Sequence, residues 1–178
     1  MGNRKVILYI ASSLDGYIAD QHDSLDFLSV VERPPEDYGY AAFTKSIDTV
    51  VMGRKTYDKV LSFGIDFPHR DKKCFVISKK KSGSDENAAF WNNDPCELIR
   101  LLLKQTGKDI FIDGGSGLVN TLMKQDLIDR YIISIIPVLI GNGIPLFKDG
   151  RPTVKLKLLQ SKSYPTGLVQ NWYEREIS

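Results

Sequence analysis

The sequence predicts an α/β domain with three layers, in which helices cover both faces of a central, mostly parallel sheet. Apolar segments suited to strands alternate along the chain with segments of helical periodicity, the pattern of repeated strand–helix–strand units. The last two segments, "VKLKLLQSKSY" and "GLVQNWYERE", alternate polar and apolar residues and predict a C-terminal antiparallel hairpin, so the sheet is mixed. No repeat or linker interrupts the 178 residues, and we expect one domain over 1–178.

The predicted strands are short apolar runs bounded by turn residues, and they cover 4–12, 48–53, 72–78, 109–115 and 130–140. The predicted helices cover 36–46, 55–63, 93–109 and 116–129. The third of these has the strongest signals, because Asp94 can cap it, Pro95 suits its first turn and Gly107 can end it.

The remaining segments carry turn signals. Asp15-Gly16 predicts a loop over 13–27, and the glycines of 141–147 predict a turn. Pro137 lies inside the 130–140 run and cannot donate a ladder hydrogen bond, which favours an edge position or a bulge there.

Composition excludes several classes of function. A net charge of +2 creates no large basic field, so bulk nucleic-acid binding is not expected. Cys74 and Cys96 form no CxxC motif, and His22 and His69 stand at no zinc-ligand spacing from them, so we predict buried, reduced thiols and no metal site. The early run "VILYIA" is too short for a signal peptide, and no run reaches the length of a membrane span. We therefore expect a cytoplasmic protein.

The stretch "VVMGRKTYDKV", residues 50–60, carries an electrostatic conflict. Arg54 and Lys55 stand where a helix begins, and the helix dipole disfavours each cation there by about 0.3–1 kcal/mol. A bound anion would remove the conflict, since free amides at a helix start also attract negative charge. Gly53 would let the anion approach the backbone, and Thr56 would add a hydroxyl donor. The alternative is a surface turn with both cations in water.

Two further turns have the same character. "FIDGGSGLV", residues 111–119, is a second strand–glycine–helix turn, although its glycines could serve only tight packing. "VISKKK" ends another strand in Ser78 and three lysines, and could be only a basic loop. Ligands of open α/β sheets bind outside the carboxyl ends of the strands. Together the three turns predict a site for an extended ligand with several phosphates.

These residues resemble a known superfamily. "VVMGRKTYD", followed by "IDGGSGLVNTL", resembles the dihydrofolate reductases, and "ASSLDGYIA" with "PVLIGNGIPLF" is most similar to their bacterial riboflavin-biosynthesis branch. That branch reduces 5-amino-6-(5-phosphoribosylamino)uracil. The resemblance implies a dihydrofolate reductase-like fold, NADPH as the cofactor, a small-molecule substrate and a homodimer.

The resemblance also implies roles for individual residues. Cofactor phosphates would contact Gly53, Arg54, Lys55 and Thr56, and the adenosine 2′-phosphate would contact Ser78 and Lys79. The pyrophosphate would meet Gly114, Gly115, Ser116, Gly117 and Leu118. The nicotinamide and its ribose would pack near Ala11, Ile18 and Ala19.

The chain departs from dihydrofolate reductases at the acid of the first helix. The aligned position holds Gly39, and neither Glu36 nor Asp37 is in register with it. Asp15 is then the candidate catalytic residue, because its loop lies beside the nicotinamide positions; the alternative is that Asp15 only bonds the backbone of its turn.

Three functions follow from this comparison. The first is an NADPH-dependent oxidoreductase of the riboflavin type, with that substrate or a drifted one, since the zinc motifs of the fused deaminase are missing from this sequence. The second is a dihydrofolate reductase, which Gly39 disfavours. The third is a non-catalytic NADP-binding protein, because a fold does not fix a function.

Overall fold

The computed structural model describes residues 4–176, and eleven strands and four α-helices form its framework. The strands are β1 (Val6–Ser13), β2 (Tyr17–Asp20), β3 (Ile47–Gly53), β4 (Lys73–Ile77), β5 (Gly83–Ser84), β6 (Ala89–Trp91), β7 (Asp109–Ile112), β8 (Arg130–Ile136), β9 (Gly143–Pro145), β10 (Leu156–Ser163) and β11 (Val169–Arg175). The helices are α1 (Tyr40–Lys45), α2 (Arg54–Ser62), α3 (Pro95–Leu103) and α4 (Ser116–Met123), with a 3₁₀ helix at Asp26–Val31.

Nine strands form one sheet in the order β10-β11-β8-β1-β7-β3-β4-β6-β5. The five neighbouring pairs from β8 across to β6 are parallel. The pairs β8–β11, β10–β11 and β5–β6 are antiparallel. The prediction of a mixed, mostly parallel sheet that ends in a C-terminal hairpin is therefore confirmed.

Helices cover both faces of this sheet. Successive strand residues point to opposite faces, so Val6 and Leu8 pack with α3 and α4 while Ile7 packs with α1 and α2. On the α1 and α2 side the helices bury Phe43 and Tyr57 against the strands. The predicted three-layer arrangement is confirmed.

Two segments predicted to be irregular contain paired strands. The 13–27 loop holds β2 and the 3₁₀ helix, and the 141–147 turn holds β9. β2 and β9 form a small antiparallel sheet, in which Ala19 pairs with Ile144. The prediction was wrong because the two strands are very short and their pairing joins positions far apart in the sequence, which local turn signals cannot reveal.

Several element boundaries also differ from those predicted. Helix α3 ends at Leu103 rather than at 109, and α4 ends at Met123 rather than at 129, shortly before Asp126 takes a left-handed backbone with φ of 51°. β8 lies between β1 and β11 rather than at an edge, and it ends at Ile136, directly before the proline that cannot continue the ladder. Helix α1 begins at Tyr40 instead of 36, because Gly39 adopts a left-handed backbone with φ of 83°. The carboxylate of Asp37 accepts hydrogen bonds from the amides of Gly39 and Ala41, at 2.9 and 3.0 Å.

Both cysteines are buried and unbridged, as the sequence predicts. Burial raises the pKa of the Cys74 thiol to about 12 and also raises the pKa of Cys96, so both thiols stay protonated near neutral pH. Within residues 4–176, no helix has both the length and the apolar character needed to cross a membrane.

Candidate functional site

The carboxyl ends of β3 and β7 form the centre of the site. These strands are parallel neighbours, and the amide of Gly53 donates a hydrogen bond to the carbonyl of Gly114, at 2.8 Å. Helix α2 begins at Arg54 and helix α4 at Ser116, immediately after the two turns. Two helix starts therefore lie side by side, and their unpaired amides make this edge of the sheet suited to an anion.

The backbone conformation calls for glycine at one position of these turns. Gly114 has a φ of 101°, a conformation that other residues rarely adopt. A Cβ on Gly53 would lie 3.5 Å from the amide nitrogen of Gly115, and a Cβ on Gly115 would lie 3.4 Å from Oγ1 of Thr56. The peptide bond between Gly114 and Gly115 is cis. Side chains at these positions would fill the space in front of the helix starts.

One cavity of about 1340 Å³ opens over this edge. All fourteen predicted cofactor residues line it: Ala11, Ile18, Ala19, Gly53, Arg54, Lys55, Thr56, Ser78, Lys79, Gly114, Gly115, Ser116, Gly117 and Leu118. The fold thus gathers residues from five separate segments around a single space. Their roles toward a cofactor stay predictions, since placement alone does not identify the ligand.

Part of the cavity wall is strongly basic. The guanidinium carbon of Arg54 lies 5.7 Å from the ring centre of Phe90, and Nζ of Lys81 lies 5.2 Å from the same centre. The Ser78 hydroxyl accepts hydrogen bonds from the amides of Lys80 and Lys81, at 3.3 and 3.0 Å. Phe90, which is not among the lining residues, thus contacts one cation from the start of α2 and one from the lysine-rich turn.

The electrostatic conflict between Arg54 and the dipole of α2 is partly relieved within the helix itself. Nε of Arg54 donates to the carboxylate of Asp58 one turn later, at 2.7 Å. This bond uses only one of the guanidinium nitrogens, and within residues 4–176 its terminal nitrogens have no hydrogen-bond partner. Lys55 is exposed beside the cavity.

Other parts of the wall are aromatic and apolar, with contributions from Tyr9, Phe27, Leu28 and Tyr40. Tyr9 and Tyr40 pack edge to face, with ring centres 5.6 Å apart. Burial raises the pKa of Tyr9 to about 12. The pKa of Tyr40 is also raised, first by burial and then by the negative charge of Asp113. Both phenols are therefore neutral at physiological pH.

Asp113 is a site residue that the sequence analysis missed. It follows the last residue of β7 and precedes the glycine pair, and its side chain lines the cavity with 22% of its surface exposed. Its Oδ2 lies 3.6 Å from Nε2 of the buried His69. A signal was present, because Asp113 is the first polar residue after a buried strand, at the edge where Gly53 ends β3.

Asp15 lies outside the residues that line the cavity. Its carboxylate accepts hydrogen bonds from the Ser13 hydroxyl at 2.6 Å and from the amides of Ile140 and Gly141 at 3.1 and 2.7 Å. The Ser13 hydroxyl, aided by these amides, lowers the pKa of Asp15. This geometry favours the alternative interpretation, in which Asp15 bonds backbone and ties its turn to the 138–141 loop.

The other acids near α1 also lie outside the cavity lining. Glu36 accepts a hydrogen bond from the amide of Tyr38 at 2.7 Å, and Asp37 bonds the start of α1. Backbone hydrogen bonds from Ala41 and Gly39 lower the pKa of Asp37. Asn142 lies on a separate surface cavity, whereas Asp23 and Lys148 line the main one.

Comparison with known proteins identifies relatives over nearly the whole chain. Residues 4–170 match the model of the RibD C-terminal domain. The uncharacterised protein YwjB of Bacillus subtilis is 42% identical over 162 residues, which cover 90% of this chain and 92% of YwjB.

Solved structures agree with this match. A candidate riboflavin biosynthesis protein from Shewanella sp. PV-4 is 34% identical, with a TM-score of 0.87 over 97% of this chain and 99% of that one. The deaminase/5-amino-6-(5-phosphoribosylamino)uracil reductase of Thermotoga maritima is 15% identical, with a TM-score of 0.72 over 97% of this chain and 57% of its own.

A dihydrofolate reductase from Enterococcus faecalis, complexed with NADP(H), shares the fold. It is 14% identical, with a TM-score of 0.67 over 97% of each chain. The dihydrofolate reductase-like fold predicted from the sequence is thus confirmed. With both glycine turns inside the matched region, this chain belongs to the RibD C-terminal domain family, the reductase family of riboflavin biosynthesis.

Proposed function

We propose that this protein is an NADPH-dependent reductase whose substrate is a riboflavin-type pyrimidine or a close chemical relative of one. The observation that carries the proposal is the single cavity in which two adjoining helix starts, a basic turn and an aromatic wall come together. A dinucleotide phosphate needs the first two features, and a planar ring needs the third. NADPH, when bound, supplies the hydride.

The residues of the chain supply binding and orientation for that cofactor. The adjoining starts of α2 and α4 would take the pyrophosphate, and Gly114 and Gly115 leave room for it. Arg54, Ser78 and Lys79 would take the 2′-phosphate, since charge-assisted hydrogen bonds favour a doubly charged group there. The NADP(H) complex of the Enterococcus faecalis relative supports this choice of cofactor.

The substrate would lie against the aromatic wall. The rings of Tyr40 and Phe27 offer apolar faces to a planar heterocycle, and the Asp113 carboxylate can accept hydrogen bonds from ring N–H groups. Lys59 and Lys148 also line the cavity and are not needed for the cofactor, so they are candidates for a phosphoribosyl group. The Thermotoga maritima relative is named for such a substrate.

We predict a preference for NADPH over NADH of at least about 10-fold in dissociation constant, because one charge-assisted hydrogen bond contributes about 1.5–3 kcal/mol. Fluorescence titration of the purified protein with both cofactors measures it. Lys79→Gln should narrow the preference, whereas Lys104→Gln, an equal change of charge at an exposed residue outside the cavity lining, should not. Equal dissociation constants for the two cofactors in the unmodified protein would contradict the assignment.

We predict that Gly115→Val abolishes NADPH binding and leaves the fold intact. The new Cβ would lie 3.4 Å from Oγ1 of Thr56, and its methyl groups would fill the space before the helix starts. Cofactor titration and circular dichroism are compared on the same sample. Gly115→Ala should weaken binding less and serves as the test if the valine variant does not fold. Unchanged affinity in a folded variant would mean that the glycine pair serves only packing.

We predict that 5-amino-6-(5-phosphoribosylamino)uracil is reduced with a higher kcat/KM than dihydrofolate. Folate reduction needs an acid at one fixed place on the first helix. Gly39 carries no acid, and the carboxylate of Asp37 is bonded to the backbone amide of Gly39. Loss of such a paired carboxylate weakens substrate binding by about 1–3 kcal/mol. Misorientation of the substrate lowers the rate by a further ~100-fold. The assay follows NADPH absorbance with each substrate. Faster folate turnover would reject the riboflavin-type assignment, and NADPH binding without turnover of either substrate would favour a drifted substrate or a non-catalytic role.

We propose finally that the protein forms a homodimer through the C-terminal edge of its sheet. All eight residues of β10 are exposed, among them Leu156, Leu158 and Leu159, with 53% of Leu158 accessible. An exposed edge strand of this kind pairs readily with a second copy.

Light scattering at micromolar concentration should give twice the mass of the chain. Leu158→Asp should give a monomer, and Ile65→Asp, at an equally exposed position away from β10, should not; a monomeric unmodified protein would contradict the proposal.

A further inference from the structure

His69 is a buried ionisable residue beside the cavity-lining Asp113, with 2% of its side chain exposed. Its ring packs edge to face against Phe67 and Phe111, at 5.8 and 5.9 Å between ring centres. Its carbonyl accepts hydrogen bonds from the amide of Lys72 at 2.9 Å and from the thiol of Cys74 at 3.4 Å. The imidazole is therefore held firmly in place behind the cavity wall.

The two ring nitrogens of His69 have different surroundings. Nε2 faces Oδ2 of Asp113 at 3.6 Å, whereas Nδ1 is buried and has no hydrogen-bond partner within residues 4–176. Buried polar atoms are almost always paired, and an exception calls for an explanation. A purely structural role would be served better by an apolar ring here, because Phe67 and Phe111 already supply an apolar pocket.

These surroundings determine where the imidazole carries its hydrogen. If Nε2 were bare, its lone pair would face the carboxylate lone pairs, so Nε2 is the protonated nitrogen. Nδ1 then holds a lone pair inside an apolar pocket, which costs less than an unpaired N–H in the same place. Of the two neutral tautomers, the one that fits these surroundings therefore has its hydrogen on Nε2, directed at Asp113. The distance of 3.6 Å exceeds that of a formed hydrogen bond by a few tenths of an ångström, so a hydrogen bond between the two groups requires them to approach by that amount.

We infer that His69 is a positioning residue, which donates from Nε2 to Oδ2 of Asp113 and leaves Oδ1 as the acceptor for N–H groups of the substrate ring. The inference rests on the proposed function in one respect, that the ligand beside Asp113 is a nitrogen heterocycle. Asp113 thus provides, from the end of β7, a carboxylate that α1 does not contribute. An oriented acceptor favours rings that present N–H donors over rings of the same shape that lack them.

Imidazole ¹⁵N NMR tests the pairing without any ligand. The chain has only two histidines, so both give resolved signals, and the exposed His22 serves as the internal reference. We expect His69 to show the neutral Nε2–H pattern, and Asp113→Ala to change the Nε2 shift or the tautomer of His69 while His22 stays unchanged. An Nδ1–H tautomer in the unmodified protein, or an unchanged His69 pattern in Asp113→Ala, would overturn the inference.

Substitution of His69 tests the consequence for the ligand. His69→Phe keeps a ring among its aromatic neighbours but removes the donor, and His69→Gln places an amide N–H near the position of Nε2. We expect His69→Phe to raise KM for 5-amino-6-(5-phosphoribosylamino)uracil about 10- to 100-fold with the NADPH dissociation constant unchanged, and His69→Gln to restore part of the loss. Equal losses in both folded variants, with thermal melts as the control, would contradict the inference.

The two experiments separate this inference from the proposed function. If no pyrimidine is turned over but Asp113→Ala changes the His69 spectrum, the proposed substrate is wrong and the pairing stands. If turnover is found and the His69 spectrum does not respond to Asp113→Ala, the function stands and His69 does not position the carboxylate.

Discussion

The parallel pairing of β3 with β7 is the constraint on which the rest of the structure depends. Val50 lies opposite Phe111 and Val51 opposite Ile112, so the glycine turn after β7 lies beside Gly53, the last residue of β3. Each strand is followed by a glycine turn and a helix, and this adjacency brings two helix starts into contact. Side chains alternate between the two faces of a strand, so a slip of one residue in the pairing would turn each buried side chain to the opposite face of the sheet. The packing of the two cores therefore fixes the register.

Charge is distributed over the cavity in a way that follows from this pairing. Helix starts attract anions, and the chain adds Arg54 and the lysine-rich turn to them, with Phe90 between the cations. When no anion is bound, the ion pair with Asp58 offsets part of the unfavourable interaction between Arg54 and the helix dipole. Asp113 follows β7 directly, immediately before the glycine pair, and adds a negative charge to the cavity lining. The same edge thus presents both cations and a carboxylate, which the proposed function assigns to phosphates and to N–H donors.

Much of this arrangement could be predicted from the sequence, because local composition carries it. Gly53 and Arg54 form an electrostatic conflict that is visible within a few letters, and the parallel sheet places Gly114 at the same edge. The pairing of β2 with β9 could not be predicted, since it joins two short segments more than a hundred residues apart. Asp113 was overlooked although its position had a signal. His69 had none, because its significance arises from burial and from a partner 44 positions away. The carboxylate of Asp15, the catalytic candidate from the sequence, bonds a backbone amide of the 138–141 loop, a contact that its turn signal alone could not reveal.

The order of the strands in the sheet has a consequence for the synthesis of the chain. β1 is synthesised first, yet both of its neighbours, β7 and β8, come from the second half of the sequence. Val6, for example, pairs with Ile110, which is synthesised much later. At about 5–20 residues per second, a ribosome takes roughly 5–20 s to add the intervening hundred residues. For that time an apolar strand with two open edges has no intramolecular partner, the kind of segment that nascent-chain chaperones retain. The lining of the cavity is complete only after Lys148 has been synthesised.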